Sequence, residues 1–173
     1  MFSTPVYQAF GLTSVDLGTG ATLARTYNAR GFITNETDQQ VSGGATVYSY
    51  ALSYHANGNV DTADDSVTGN WTYSYDTLNR VKGAAAAAGG ACEYMTITWG
   101  YDAWANRESQ TASGSTCTID QPSYTINSNN TISGFSYDAS GDISTDANGN
   151  NFVHDAEGRI ATVPGRAGPS CST

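Results

Sequence analysis

Two histidines, His55 and His154, are the side chains of this sequence suited to act as a general base near neutral pH. A Ser–His–Asp hydrolase needs such a base beside a hydroxyl, and serine and threonine are abundant. The sequence contains no Gly-x-Ser-x-Gly nucleophile elbow. Both histidines lie in short turn sequences, which favours a structural role. Because a triad is recognised by geometry and not by sequence order, a hydrolase of unknown substrate stays an alternative hypothesis.

Acidic side chains are the second group that could carry chemistry, and they cluster in two segments. The members are Asp61, Asp64, Asp65, Asp138, Asp142 and Asp146. Two carboxylates about 5–10 Å apart can hydrolyse a glycosidic bond. An acidic chain built from hairpin turns brings aspartates together in any case, so we interpret both clusters as turn residues.

Metal binding has weaker support in the sequence. Residues 144–150 together with Asp155 partly resemble a calcium loop, but the leading Asp and the closing Glu are missing, which favours an ordinary turn. The residues Cys92, Cys117, His55 and His154 do not have the spacing of a zinc site. The sequence therefore predicts no metal site and no cofactor.

Aromatic side chains form the remaining candidate site. They recur at every second position in several segments, and the ligand-binding candidates are Trp71, Tyr73, Tyr75, Trp99 and Tyr101. Exposed rings on a sheet can stack against sugars, whereas buried rings make the cross-strand contacts that stabilise a sheet. We favour packing and keep carbohydrate binding as an alternative function.

These residues belong to a short phrase that occurs six times. Each copy has an aromatic residue or histidine, a polar turn-former, two variable residues, a small residue, and then a polar residue with an aliphatic one in most copies. The copies occupy residues 27–33, 54–60, 75–81, 101–107, 137–143 and 154–160. Repeats at this scale indicate stacked supersecondary units that cannot bury their apolar faces alone.

Each copy has the pattern of strand, turn and strand. Apolar and polar residues alternate before the turn, as in Trp71 to Tyr75 and Met95 to Tyr101, which is typical of a strand with one buried face. Gly58, Gly141, Gly158 or Asn79 can adopt positive φ in the turn. No sustained helical periodicity occurs. The alanine run 84–88 allows a turn of helix, but its glycine flanks favour a flexible loop.

The phrase resembles the YD repeat of the Rhs family. The similarity rests on residues 73–81, which match a family repeat almost residue for residue, and on residues 135–160; it covers roughly residues 25–163. The resemblance implies an all-β protein in which a β-ribbon forms a shell, often around a toxic C-terminal cargo, in proteins usually exported by bacteria. It favours a structural or interaction module over an enzyme.

Several departures from the family pattern shape this expectation. Ala105 replaces the expected turn glycine, and His154 replaces the expected tyrosine. The sequence lacks the family's self-cleavage region and a cargo domain, and six repeats are few for a closed shell. We therefore expect antiparallel hairpin repeats over 1–163 in an open, curved, twisted sheet, followed by a flexible tail at 164–173. Exposed edge strands would allow self-association.

Composition limits the partners and the location. The chain has 16 acidic and 7 basic residues and a net charge of −9, which disfavours nucleic acid and anionic membrane surfaces. No apolar run approaches the ~20 residues of a membrane helix. The first residues do not resemble a secretion signal. We expect a secreted or cell-surface protein whose signal was removed, or an internal piece of a larger exported protein.

The cysteines provide a geometric test. If the hairpin at residues 101–107 turns at Trp104–Ala105, Trp99 faces Gln110, Asp102 faces Arg107, and Cys92 faces Cys117. Cysteines placed opposite each other on antiparallel strands can form a disulfide. The sequence therefore predicts a Cys92–Cys117 bridge, which suits an oxidising compartment. Cys171 is left without a partner in the tail, and we expect a free thiol.

Overall fold

The computed structural model of the protein describes residues 5–18, 20–40 and 44–163. The predicted tail and Cys171 lie outside these residues. By contacts, the chain divides into two compact units, Met1–Pro122 and Ser123–Thr173. The described residues contain no helix, and therefore no helix that could cross a membrane.

The first unit is one antiparallel sheet in which sequence order equals spatial order. Its ten strands are β1 (Val6–Gln8), β2 (Gly11–Leu17), β3 (Ala21–Tyr27), β4 (Ile33–Gln40), β5 (Thr46–Tyr54), β6 (Val60–Asp65), β7 (Gly69–Tyr75), β8 (Val81–Ala86), β9 (Thr96–Tyr101) and β10 (Arg107–Ser113). Since β1 and β10 do not pair, the sheet is open. This confirms the predicted open, curved, all-β architecture.

The second unit contains two short hairpins. Its strands are β11 (Ser136–Tyr137), β12 (Ile143–Thr145), β13 (Val153–His154) and β14 (Ile160–Thr162). Each hairpin is a separate two-stranded pairing, β11 with β12 and β13 with β14. A bridge between Thr145 and Asn151 links the end of β12 to the segment before β13.

All six copies of the repeat phrase lie at chain reversals, and they share one register. The first residue of each phrase pairs with the seventh, as in Tyr75 with Val81 and His154 with Ile160. A β-bulge lies beside the pair in every copy. A bulge strengthens the local twist, so it bends the ribbon at each turn. The strand–turn–strand interpretation of the phrase is confirmed.

Two local expectations were wrong. Residues Ala84–Ala86 belong to β8 and not to a loop, because they pair with β7 on one side and with β9 on the other. In the last hairpin of the sheet, Trp99 faces Gln110 as predicted, but Arg107 faces Tyr101 and not Asp102. The bulge between Arg107 and Ser109 shifts the register by one residue there.

Candidate interaction surface

The candidate aromatic residues lie on one face of the sheet. Trp71, Tyr73 and Tyr75 are half-buried, whereas Thr72 and Ser74 between them are exposed. In β9 the same alternation places Trp99 and Tyr101 among half-buried positions. Met95, just before β9, is the one large side chain among the described residues that is fully buried. Within the first unit this face is therefore a shallow apolar layer, because all ten strands of the unit belong to one sheet.

The polar ends of these aromatic side chains are mostly occupied by the protein itself. Tyr75 donates its hydroxyl proton to the Val60 carbonyl over 2.8 Å, and the indole of Trp99 donates to the side-chain oxygen of Gln110 over 2.7 Å. Trp71 donates to the Thr68 carbonyl over 3.3 Å. Saccharide hydroxyls would have to compete with these contacts. The arrangement supports packing as the main role of the rings.

The tyrosine hydrogen bonds follow a rule that sequence reasoning missed. The tyrosine that opens a repeat donates to the carbonyl of the aliphatic residue that ends the repeat before it. The pairs are Tyr54 with Ile33, Tyr75 with Val60, and Tyr101 with Val81, at 2.6 to 2.8 Å. Tyr27 makes the same kind of bond to Leu12, ahead of the first copy. The second, third and fourth repeats are thus each attached to the preceding repeat by a phenol, which the recurrence of tyrosine at this position signals.

Partial burial affects the ionisation of these phenols. Desolvation raises the pKa of Tyr54, Tyr73 and Tyr75 above the usual value of a tyrosine. For Tyr75 the bond to the Val60 carbonyl is only a secondary influence. The hydroxyls therefore stay protonated at neutral pH and act as hydrogen-bond donors, which is the form that the links between repeats require.

The turns of the repeats meet along one edge of the sheet, because they connect every second pair of neighbouring strands. Arg30 donates to the Ala56 carbonyl over 2.9 Å, and Arg80 donates to the Asp102 carbonyl over 3.0 Å. The guanidinium of Arg80 also lies 4.7 Å from the ring centre of Tyr101. We call this row of turns, residues 28–31, 55–58, 76–79 and 102–105, the turn edge.

Two large apolar side chains project from the turn edge. Leu78 and Trp104 occupy the same position of their repeats and are 66% and 83% exposed. Interfaces are enriched in such exposed aromatic anchors, so this pair is a candidate contact point for a protein partner. Neither residue was predicted from the sequence, because the aromatic candidates came from strand faces and this position of the repeat is variable.

His55 does not belong to a catalytic triad in the described part of the chain. Its Nε2 lies 3.5 Å from a carboxylate oxygen of Asp61, and its ring meets Tyr75 edge to face at 6.0 Å. No described hydroxyl hydrogen-bonds to it. Asp65 is also a structural residue, since it accepts the backbone N–H groups of Val67 and Thr68 and holds the turn between β6 and β7.

The aspartates of the turns act in the same way. Asp102, Asp138, Asp146 and Asp155 each accept the backbone N–H groups of the second and fourth residues after them. The segment that partly resembles a calcium loop is therefore an ordinary turn of this type. Hydrogen bonds from Asn150, first through its side chain, lower the pKa of Asp146. The carboxylate is thereby held in its charged form.

The structure joins Cys92 to Cys117, with 5.4 Å between their Cα atoms. Both cysteines lie just beyond the paired residues of β9 and β10. A concavity of about 350 Å³ beside the bridge is lined by Glu93, Tyr94 and residues 114–116. Past the bridge, the Pro122 carbonyl accepts the N–H of Gln110, so the following segment covers part of the outer edge of β10.

One group of polar side chains in the second unit was separated in the sequence and is assembled by the fold. Potential ligand atoms of Asp138, Asp142 and His154 all lie within 4.8 Å of one another. In the sequence Asp138 and Asp142 cluster with Asp146, and no pattern connects them to His154. The connection depends on how one hairpin lies against the next.

Comparison with solved structures identifies the architecture, although no protein-family profile and no curated protein matches the chain. A crystal structure of TcdB2-TccC3 without its hypervariable C-terminal region matches all of the chain with a TM-score of 0.77 at 16% identity. A TcdB2-TccC3-Cdc42 structure matches 92% with a TM-score of 0.76 at 18% identity. The pore of the Photorhabdus luminescens Tc holotoxin matches 92% with a TM-score of 0.75 at 17% identity.

In each case the chain covers 10% of the length of the solved chain that it matches. Identity at this level establishes the fold and not the activity. The six-copy phrase, its common register and these matches agree with one another. The chain therefore has the fold of the Rhs/YD-repeat shell proteins found in Tc toxins, and the resemblance noted in the sequence is confirmed at the level of the fold.

Proposed function

We propose that this chain is a structural module of an exported bacterial YD-repeat protein and contributes to the wall of an encapsulating or surface-recognition shell. The observation that carries the proposal is the link between repeats through tyrosine hydroxyls. Within the ten-stranded sheet the second, third and fourth repeats each bond to the preceding repeat by the same contact, as expected of units that stack into a longer array. The fold likeness to TcdB2-TccC3 over the whole chain supports the same role.

The first strand suggests where such a wall continues. Val6 and Tyr7 in β1 are 52% and 66% exposed, and no described strand pairs with the outer side of β1. An open edge with apolar side chains is a template for another strand. A preceding repeat of a longer chain would cover it, and a second copy of this chain would do so in isolation. The bridge between Cys92 and Cys117 fits an oxidising, extracellular setting.

Hydrogen exchange tests this proposal. The amides of β1 are followed in the isolated chain and in the complete YD-repeat protein that the proposal implies. We expect fast exchange in β1 of the monomeric isolated chain and protection in the complete protein, while the central strand β5 is protected in both. Equally fast exchange of β1 in the complete protein would exclude a wall that continues through this edge.

Carbohydrate binding is the second candidate function, and one observation favours it. Trp71, Tyr73 and Trp99 stay partly exposed, and the first unit has one sheet whose strands supply no second layer over their face. Tryptophan fluorescence is measured during titration with a panel of glycans, and Trp71→Ala and Trp99→Ala serve as the test variants. A sugar that stacks on this face would change the emission of the parent protein and not that of the variants. Unchanged emission with every glycan would exclude this function.

A further inference from the structure

We propose that Asp138, Asp142 and His154 bind a divalent transition-metal ion, with Zn²⁺ as the best-fitting example. Asp138 opens the turn between β11 and β12, Asp142 closes that turn, and His154 lies in β13. One ligand atom of each lies within 4.8 Å of the other two. The site thus joins the two hairpins of the second unit, which no extended sheet connects.

The site is partly preorganised. Oδ1 of Asp138 accepts the backbone N–H groups of Ser140 and Asp142 at 2.9 and 3.0 Å, so this carboxylate is fixed in the turn and its second oxygen is left to bind. The carboxylate of Asp142 lies against the next turn, 3.4 Å from the point where a Cβ on Gly158 would stand. A ligand held by its own turn loses little freedom when the ion binds.

The site holds two carboxylates and one imidazole, and the imidazole also acts electrostatically on the neighbouring Asp155. Neither the carboxylate of Asp142 nor the imidazole of His154 forms a hydrogen bond or ion pair with residues 5–18, 20–40 or 44–163. Arg159 is the cation of the last turn, and it binds Asp155 and Glu157 at 2.9 and 3.0 Å. Two neighbouring carboxylates repel each other, and a divalent cation removes that repulsion.

The composition of the donor set selects the type of metal. Zn²⁺ binds imidazole nitrogen and carboxylate oxygen, whereas Ca²⁺ and Mg²⁺ prefer oxygen donors alone. Three protein ligands leave at least one coordination position for water or for a further donor. A structural role suits the location, because a metal ion would hold together two hairpins whose strands are two or three residues long.

The second unit also has a physical need for such a link. None of the buried residues of the described chain, Ala63, Gly83, Ala84 and Met95, belongs to it, and the disulfide lies in the first unit. Very small units without a core usually depend on disulfides, metal ions or association for their stability. A metal ion bridging two turns would provide that support.

The repeat itself supplies a test variant that should fold. His154 stands where the other five copies carry tyrosine, so His154→Tyr restores the repeat while it removes the imidazole. His55→Asn is the matched control, since it removes the other histidine from a position that accepts Asn or Asp in the other copies. Cys171→Ser in every protein removes the thiol of the C-terminal segment, which would otherwise compete for Zn²⁺.

Zn²⁺ binding is measured by isothermal titration calorimetry on the full chain after treatment with a chelator. We expect one ion per chain. His154→Tyr and Asp142→Asn should weaken binding by at least about 100-fold, because removing mere supporting partners of ligands already costs about 10–100-fold. His55→Asn should bind like the parent protein. As a second readout, Zn²⁺ should shift the NMR signals of residues 136–160 in the parent and leave them unchanged in His154→Tyr.

The proposal would be overturned if no binding occurred up to about 1 mM Zn²⁺, which corresponds to a weak affinity of about −4 kcal/mol. It would also be overturned if His154→Tyr bound Zn²⁺ as tightly as the parent protein. A third contradicting result would be NMR shifts that are confined to the first unit. If Asp142→Asn fails to fold, His154→Tyr decides the question alone, with circular dichroism to confirm its β structure.

Discussion

The two units of the protein use the same turn and build very different amounts of structure from it. In Met1–Pro122 the strands that flank the turns reach six to nine residues in the central part, and they merge into one sheet of ten. In Ser123–Thr173 the same turns join strands of two or three residues, which stay in separate hairpins. The turn residues thus determine where the chain reverses. The length of the strands determines whether neighbouring hairpins pair with each other to form one sheet.

The hydrogen bonds that link one repeat to the next also differ between the two units. In the first unit, tyrosine hydroxyls bond to the end of the preceding repeat, as Tyr101 does to Val81. In the second unit, Tyr137 accepts the N–H of Ile132 just five residues before it, and His154 carries no hydroxyl. The first unit is therefore stabilised through contacts between repeats, and the second depends on contacts within or between neighbouring turns. Variants in matched positions can test this contrast.

The largest effect should come from the disulfide, which constrains the first unit alone. Replacing both Cys92 and Cys117 with serine opens a loop of 25 residues' separation and should lower the free energy of unfolding of this unit by about 3.5 kcal/mol. Urea unfolding followed by tryptophan fluorescence measures the change, since all three tryptophans lie in the first unit. The unfolding of the second unit is followed by the NMR signals of residues 136–162. If its free energy of unfolding fell by a similar amount, the disulfide would stabilise both units and the contrast between them would fail.

Each tyrosine hydrogen bond between repeats should contribute less than the disulfide to the free energy of unfolding. Tyr75→Phe and Tyr101→Phe each remove one hydrogen bond between repeats and should cost about 1 kcal/mol. Tyr73→Phe is the control, because the hydroxyl of Tyr73 has no hydrogen-bond partner among the described residues. The free energies of unfolding in urea are compared. An equal loss in Tyr73→Phe would mean that the phenols stabilise the sheet by packing and not by these bonds.

A pair of turn variants should have opposite signs in the two units. Ala105 has φ of 71° in the position where Gly141 has φ of 90°. Ala105→Gly should stabilise the first unit by about 1 kcal/mol because it removes the steric cost of a Cβ at positive φ. Gly141→Ala should destabilise the second unit by a similar amount of about 1 kcal/mol. Thermal unfolding of both variants measures the difference, and a loss of stability in Ala105→Gly would contradict this account of the turn.

The smallest difference should be seen in the response to acid. Hydrogen bonds lower the pKa of Asp102, mainly through the Asn106 side chain, and that of Asp155, mainly through the Arg159 backbone N–H. A carboxylate whose pKa is lower in the folded state stabilises that state above the unfolded pKa of about 4, and this contribution is lost as the pH falls through the folded value. Both units should therefore lose stability below about pH 4.

Asp102→Asn and Asp155→Asn should flatten this pH dependence for the first and the second unit respectively. Asparagine keeps a side-chain oxygen that can accept the same backbone N–H groups, as Asn28 does in the first copy. Unfolding is measured from pH 7 down to pH 3. An unchanged acid transition in both variants would show that other carboxylates control it.

The repeat phrase by itself determined the all-β class, the position of six chain reversals, the residues with positive φ such as Gly141 and Asn79, and the pairing of Cys92 with Cys117. These features depend on a few neighbouring residues or on a period of two, so they can be read locally. The alanine run was misread for a physical reason. Alanine has no strong local preference against a strand, and it is the partners on β7 and β9 that place residues 84–86 in the sheet.

Only the tertiary structure decided the contacts between repeats. The phenol of Tyr75 bonds to the Val60 carbonyl, and His154 lies near Asp138, because hairpins separated along the chain lie side by side. The exposure of Trp104 at the turn edge is also known only from the structure. No periodicity encodes such a contact, since it depends on the bulge and the twist of each turn. The sequence determines the hairpins, and the stacking of those hairpins determines which side chains can act together.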